Sequence, residues 1–413
     1  MSWREVAATV PGARRAVRFL RRLRAPSPPP EPPKPVVAAA MLTTNPLPGS
    51  HGRPSVSKRP PRLPLSPASY DDHEQRALEE LPIPALMGFR PITFQMFGYP
   101  VAIRTERELL RFVDHNYERE LPSLFVADAV FPPVGYVNRF TQDEKELLDA
   151  VRDRVAEATL QVLGRAIRPV GNLLVQTGPY RAMHHLAHLF GRPSLSVFEV
   201  GPGMGYLGGL LAATGHRYMS YDVTQSLYLW QSFLLDALAG DEFTELAALS
   251  PAPAQAPSRV SHLAWWQYCD FARDTALRAD VVYSNSNLGE MSNLSLRHVA
   301  RTSRDMLSDS AIGAFVYFST GNPVQNSRET IDATLGEFGF RQVLREPFNA
   351  FVLADRDATR IVEGFAGGIP YYNPSGRGGA FDANTVMALK RAEAPLDLPW
   401  TERSFGWRPP YVD

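Results

Sequence analysis

A single cysteine, Cys269, stands in 413 residues. That scarcity excludes an internal disulfide framework and a multi-cysteine metal site, and a reducing cytosol is the simplest setting for it. An excess of one charge is missing as well, since 43 basic residues balance 43 acidic ones. With a formal net charge of zero, no nucleic-acid partner is expected. Long apolar runs are also absent: none approaches the roughly eighteen residues that a membrane-spanning helix needs, the nearest being short stretches such as Pro35 to Leu42. A membrane span is therefore not expected.

What is present is a globular composition, 44% hydrophobic and 21% charged, in a chain long enough for one catalytic domain with additions. Residues 1–24 carry seven arginines among Trp3, Val10, Val17, Phe19, Leu20 and Leu23. They read either as a basic amphipathic helix with weak affinity for an acidic surface or as a solvated tail, and they lack the apolar core of a signal peptide. Proline then dominates from Ala25 to about Ser69, so residues 1–69 are expected to be an arm and a linker. Residues 70–168 read as a mostly helical cap or substrate-recognition region, with Thr141-Gln142-Asp143-Glu144 as a capping box ahead of the periodic Leu147, Leu148, Val151, Val155, Ala158 and Val162. The glycine-rich and aromatic tail, residues 356–413, is expected to be a flap or a cover for the sheet edge.

The core, residues 169–355, alternates strand-like and helical runs. That pattern predicts an open α/β sheet, Rossmann-like, with strands at 196–200, 217–222, near 259–263, 280–284 and 312–318. Two further strands, 340–346 and 350–354, are separated by only Pro347-Phe348-Asn349. So short a connection cannot hold a crossover helix, and these two strands must pair antiparallel.

The most informative run is Glu199-Val-Gly-Pro-Gly-Met-Gly-Tyr-Leu-Gly208, directly behind the apolar Val197 and Phe198. Glycines 201, 203 and 205 remove Cβ atoms where a strand turns into a helix, so backbone N–H groups can approach a ligand. Asp222, at the end of the next strand, can accept hydrogen bonds from a ribose diol. Gly203 to Gly208 satisfies the dinucleotide pattern, while Glu199-x-Gly201-x-Gly203-x-Gly205 satisfies that of S-adenosylmethionine (SAM) enzymes. An acid before the first glycine would repel a pyrophosphate and suits the sulfonium and ammonium of SAM. The antiparallel strand pair points the same way.

From about Gly171 to Asp355 the chain resembles the class I SAM-dependent methyltransferases. Gly-Pro-Gly-Met-Gly-Tyr-Leu-Gly208, then Tyr-Asp222-Val-Thr-Gln-Ser-Leu-Tyr-Leu-Trp-Gln231, His-Leu-Ala-Trp-Trp266 and Asn-Ser-Asn-Leu-Gly-Glu290-Met resemble the sugar O-methyltransferases of bacterial polysaccharide and natural-product clusters. Ala264 departs from the proline expected there. The resemblance implies that Glu199, Gly201, Gly203 and Gly205 cradle the methionine part of SAM, Asp222 binds both ribose hydroxyls, Val223 or Thr224 flanks adenine, and Tyr206 lines the pocket. One of Trp265 and Trp266 is expected on the adenine or substrate and the other in the core, unless both are core residues. Asn285 is expected near the cofactor's methionine. Gln176, Tyr180 and Arg181 are expected at the cofactor mouth.

For the chemistry, Glu290 is the best-placed carboxylate to take a proton from an acceptor hydroxyl, with His262 as the alternative base. The competing role for Glu290 is to cap the next helix; for His262 it is structural. Histidines 184 and 188 share a helix face without a carboxylate at ligand spacing, and no metal is expected. The expectation is thus a cytoplasmic SAM-dependent O-methyltransferase acting on a sugar or glycosylated metabolite. Methylation of a peptide or polyketide product is the enzymatic alternative, and a catalytically idle SAM-fold scaffold is the non-enzymatic one.

Overall fold

The computed structural model describes residues 54–80, 103–113, 142–169, 173, 176–249, 258–274, 277–320, 325–345 and 348–366. The basic arm, most of the proline-rich stretch, Thr141 of the expected capping box, and the tail beyond residue 366 lie outside the described residues.

Short runs rich in valine, phenylalanine and tyrosine form eight strands: Ser196–Val200 (β1), Arg217–Asp222 (β2), Phe243–Glu245 (β3), Val260–Ala264 (β4), Val281–Ser284 (β5), Ala314–Tyr317 (β6), Phe340–Leu344 (β7) and Asn349–Leu353 (β8). They make one sheet in the order β3-β4-β2-β1-β5-β6-β8-β7. Neighbours from β3 to β6 are parallel, whereas β8 runs antiparallel to both β6 and β7. The short connection at Pro347 to Asn349 has the predicted result. Strand β3 was not anticipated, because three residues at an edge are too few to show a period.

The interior strands are buried along their length, as parallel strands covered on both faces should be. Helices Pro67–Glu80 (α1), Glu106–Arg111 (α2), Gln142–Leu163 (α3) and Thr177–Leu189 (α4) precede β1. Tyr206–Ala213 (α5), Gln225–Ala239 (α6), Trp265–Asp274 (α7), Asn293–Leu307 (α8), Arg328–Glu337 (α9) and Thr359–Gly364 (α10) complete the described helices. All eight residues of α5 and all fifteen of α6 are buried, because other helices cover them in turn.

Two expectations about the N-terminal half need correction. First, the chain is already packed at residues 54–66, well before Ser69. Ser55 N–H donates to Ala213 O at 2.9 Å and Ser57 N–H to Leu238 O at 2.8 Å. Those carbonyls belong to the last turns of α5 and α6, which have no intrahelical donors. Arg59 pairs with the buried Asp236 and, at 2.8 Å, with Asp241. The segment is a strap that closes two helix ends.

Second, α3 is not a cap over the strand ends. It packs along α5 and α6, where Arg154 donates from Nε to Ala237 O at 3.0 Å and from Nη2 to Arg59 O. Both carboxylate oxygens of its Glu144 accept from Arg181 of α4, at 2.5 and 2.7 Å, and both side chains are buried. Among the described residues, α1 and the segment just before α2 reach the strand ends: Asp71 Oδ1 accepts from Gln225 Nε2 at 2.5 Å, and Ile103 N–H donates to Gln225 Oε1. Gln225 is the first residue of α6, immediately beyond β2.

Candidate functional site

The turn after β1 is built on backbone conformations that favour glycine. Gly201, Gly203 and Gly205 have φ of 61°, 59° and 73°. Gly201 N–H donates to Tyr221 O at 3.1 Å, which ties the turn to the end of β2, and Gly205 N–H closes onto Pro202 O at 2.9 Å. At Gly201 the tight neighbour is Asn287, whose Nδ2 donates to Val200 O and, at 3.0 Å, to Gly201 O. Asn287 Oδ1 accepts from Ser284 Oγ at 2.5 Å. The loop after β5 therefore holds the loop after β1. Within it Ser286 has φ 61°, a strained value for a residue with a side chain, and strain of this kind gathers at functional sites.

A second clamp comes from α6. Gln231 Nε2 donates to Gly203 O at 2.5 Å and to Asp222 Oδ2 at 2.9 Å, and Trp230 Nε1 donates to Met204 O at 3.2 Å. Asp222 Oδ1 accepts from Thr224 N–H at 2.9 Å. The backbone N–H groups of Val223 and Gly203 also face it, and burial pushes its pKa up to about 6 against the opposing hydrogen bonds from Gln231, Thr224, Val223 and Gly203. Thr224 is the N-cap residue of α6, and its Oγ1 is buried without a partner. Val223 is half-buried beside it.

Glu199 lies in β1 opposite Ser220 and Tyr283 and accepts from Tyr218 Oη at 2.6 Å. Burial lifts its pKa to about 8, Tyr218 opposes the rise, and Asp222 adds to it. Tyr206 is buried at the start of α5. Trp265 and Trp266 meet edge to face at 5.7 Å and are both nearly buried; Trp265 Nε1 donates to Glu74 Oε1 at 2.8 Å, and Trp266 packs on Tyr70. Asn285 accepts from Ser286 Oγ at 3.2 Å. Glu290 is half-buried, with its N–H donating to Asn287 O at 3.0 Å. Gln176 sits at the N-cap of α4, with its Oε1 buried and unpartnered.

Three expected site residues are placed elsewhere. His262 is not at a strand end but two residues inside β4, with no exposure. Its Nδ1 meets Ser232 Oγ at 2.8 Å and its ring stacks on Tyr228 at 4.0 Å. Burial depresses its pKa to about 3, so it serves packing and not base catalysis. Tyr180 is buried, stacks on His184 and faces Thr214 past the far end of α5. Arg181 is consumed by Glu144.

The sequence reading missed Asn287 and Gln231 as clamps. Both lie inside the runs that carried the family resemblance, Asn-Ser-Asn287 and Leu-Trp-Gln231, and the signal was a polar residue within an otherwise apolar or turn-forming stretch.

Neither a protein-family model nor a curated protein matches the chain. Among solved structures it is similar to a TehB-like SAM-dependent methyltransferase from Corynebacterium glutamicum, at 14% identity over 42% of this chain and 88% of that one, TM-score 0.30. It is also similar to magnesium protoporphyrin IX methyltransferase from Synechocystis PCC 6803 with bound SAM, at 16% identity over 51% of this chain and 97% of that one, TM-score 0.29. A third is the CcbJ methyltransferase from Streptomyces caelestis, at 13% identity over 42% of this chain and 89% of that one, TM-score 0.28. The strand order itself sets the fold. It is the α/β sheet of the class I methyltransferases, with an additional edge strand at β3.

Proposed function

We propose that the chain is a SAM-dependent methyltransferase acting on a hydroxyl group of a sugar or glycosylated metabolite. One observation carries the reading: Gln231 joins the glycine turn to Asp222, so the methionine-side cradle and the ribose-binding acid form one rigid unit. The residues fit the cofactor in two further ways. Nothing lies within 4 Å of the position a Cβ would take on Gly203, which leaves the turn open to close approach by a ligand. Buried, unpartnered polar atoms of Thr224, Gln231 and Gln176 lie on the elements that frame it.

When bound, SAM supplies an electrophilic methyl group on a sulfonium. The protein's part is to position, to exclude water and to take up a proton. Asp222 would accept from the ribose hydroxyls. Glu199 would provide the negative charge opposite the ammonium, and a cationic ligand would draw its pKa down. Asn287 and Gln231 would hold the turn, with Trp265 and Trp266 walling the adenine side. Glu290, in the loop that Asn287 anchors, would take the proton of the acceptor hydroxyl.

The test is methyl transfer from labelled SAM to a panel of sugar nucleotides, glycosides and peptides, alongside calorimetry with S-adenosylhomocysteine (SAH). Glu290→Gln is expected to lower turnover on the accepted substrate while leaving SAH affinity unchanged; equal turnover would remove it as the base. Absence of SAH binding to the wild type would refute the cofactor assignment.

A further inference from the structure

Most of the residues expected to bind the nucleoside half of the cofactor are nearly buried, and a helix outside the methyltransferase sheet packs against the two tryptophans among them. Helix α1 brings three side chains to that point. Glu74 accepts from Trp265 Nε1, Asp71 accepts from Gln225 Nε2, and Tyr70 packs its ring at 5.1 Å from Trp266 and 5.2 Å from Tyr228. Tyr70 has no exposure, yet its hydroxyl has no hydrogen-bond partner. Thr224 Oγ1, two residues beyond Asp222, is likewise buried and unpartnered. A buried hydroxyl without a partner costs stability, so each of the two requires an explanation.

Resting on the methyltransferase reading, we infer that Tyr70 is a cofactor-binding residue, its hydroxyl donating a hydrogen bond to the adenosyl group held by Asp222. The Tyr70 ring packs on Trp266, which the proposed function puts on the adenine side, so the nucleoside rather than the methionine part is the half assigned to its hydroxyl. Burial, together with the charges of Glu74, Asp222 and Asp71, pushes the Tyr70 hydroxyl well above its ordinary pKa. The group is thus a permanent donor near neutral pH, and the ribose oxygens and adenine nitrogens are acceptors. Helix α1 in this arrangement is a further wall of the nucleoside pocket, supplied from more than a hundred residues before the sheet begins, a distance over which sequence patterns give no link.

The test uses the full chain and Tyr70→Phe, which keeps the ring and removes only the hydroxyl. SAH affinity is measured by calorimetry, and thermal stability is measured without ligand. The expected result is an affinity roughly three- to tenfold weaker, with a ligand-free Tm unchanged or higher because an unpartnered buried hydroxyl has been removed. A structural hydroxyl would show the opposite pattern, a lower Tm with unchanged affinity, and that outcome overturns the inference. So does equal affinity at equal Tm. If the wild type itself fails to bind SAH, the methyltransferase reading falls and this inference with it. Wild-type binding that Tyr70→Phe leaves intact refutes only the inference.

Discussion

Replacing Gly201 by alanine tests the structure at a tightly packed turn. The new Cβ would overlap the Asn287 amide nitrogen and lie 3.1 Å from its Cγ, so the amide must leave its place. A side chain at φ 61° costs about 1–2 kcal/mol by itself. Expelling Asn287 also breaks its hydrogen bonds with Val200 O, Gly201 O and Ser284 Oγ, each worth about 1 kcal/mol net. Gly201→Ala should therefore lose about 4 kcal/mol. Asn287→Ala alone should lose about 2–3 kcal/mol, because part of the site can be rehydrated. In the double variant the collision is gone, and only the φ cost is added to the Asn287 loss. The sum of the single effects is about 6–7 kcal/mol, but the double should lose only about 4. Urea unfolding of the four proteins measures this cycle. An additive double variant would show that Asn287 does not fill the space behind Gly201, and the account of the turn would be wrong.

Asp222→Ala should weaken SAH binding by about 1–3 kcal/mol, since the ribose loses a charged acceptor, and an unchanged Kd in calorimetry would refute that role. Glu199 and Asp222 have folded pKa values of about 8 and about 6, both raised above those of the unfolded chain. The stability they contribute is complete below the unfolded carboxylate range and is lost as pH rises through those folded values. The ligand-free protein should therefore lose about 2 kcal/mol between pH 6.5 and 8.5, chiefly through Glu199, and Glu199→Gln should flatten the slope. A wild-type slope that Glu199→Gln leaves intact would contradict the assignment. Arg59→Ala should cost about 2 kcal/mol in denaturant by leaving the buried Asp236 with only the longer contact to Arg62 at 3.3 Å. No effect would mean that the strap does not hold the end of α6.

Strand positions were legible where apolar runs were long enough to show a period, and the antiparallel β7–β8 pair was legible from the shortness of its connection. The glycine turn and Asp222 were legible because positive φ and a strand-end acid both leave marks in residue type. Other features leave no such mark. The strap at 54–66 acts through backbone N–H groups donated to helix ends, which any residue but proline can supply, and its many prolines read as a linker. The face of α4 that turns inward depends on which helix covers it, so Arg181 read as a pocket residue although Glu144, far away in sequence, neutralises it. His262 was misplaced by a boundary shift of a single residue: β4 ends at Ala264 rather than Leu263.

That histidine belongs to a feature which explains why the clamp at Asp222 holds. Register aligns Glu245, His262, Ser220 and Glu199 side by side across β3, β4, β2 and β1. A polar row beneath a buried helix is costly unless each member finds a donor or acceptor. Here α6 supplies two of them, Tyr228 Oη to Glu245 and Ser232 Oγ to His262, Tyr218 serves Glu199 from within the sheet, and Ser220 Oγ alone of the four side chains makes no hydrogen bond among the described residues. Both α6 contacts are directional, so they fix the rotation of the helix more narrowly than apolar packing could. Gln231 adjoins Ser232 on the same helix. The rotation that satisfies His262 and Glu245 is therefore the one that sets Gln231 Nε2 against both Gly203 O and Asp222 Oδ2. The buried histidine that looked like a base thus contributes to the site by orienting the helix that assembles it.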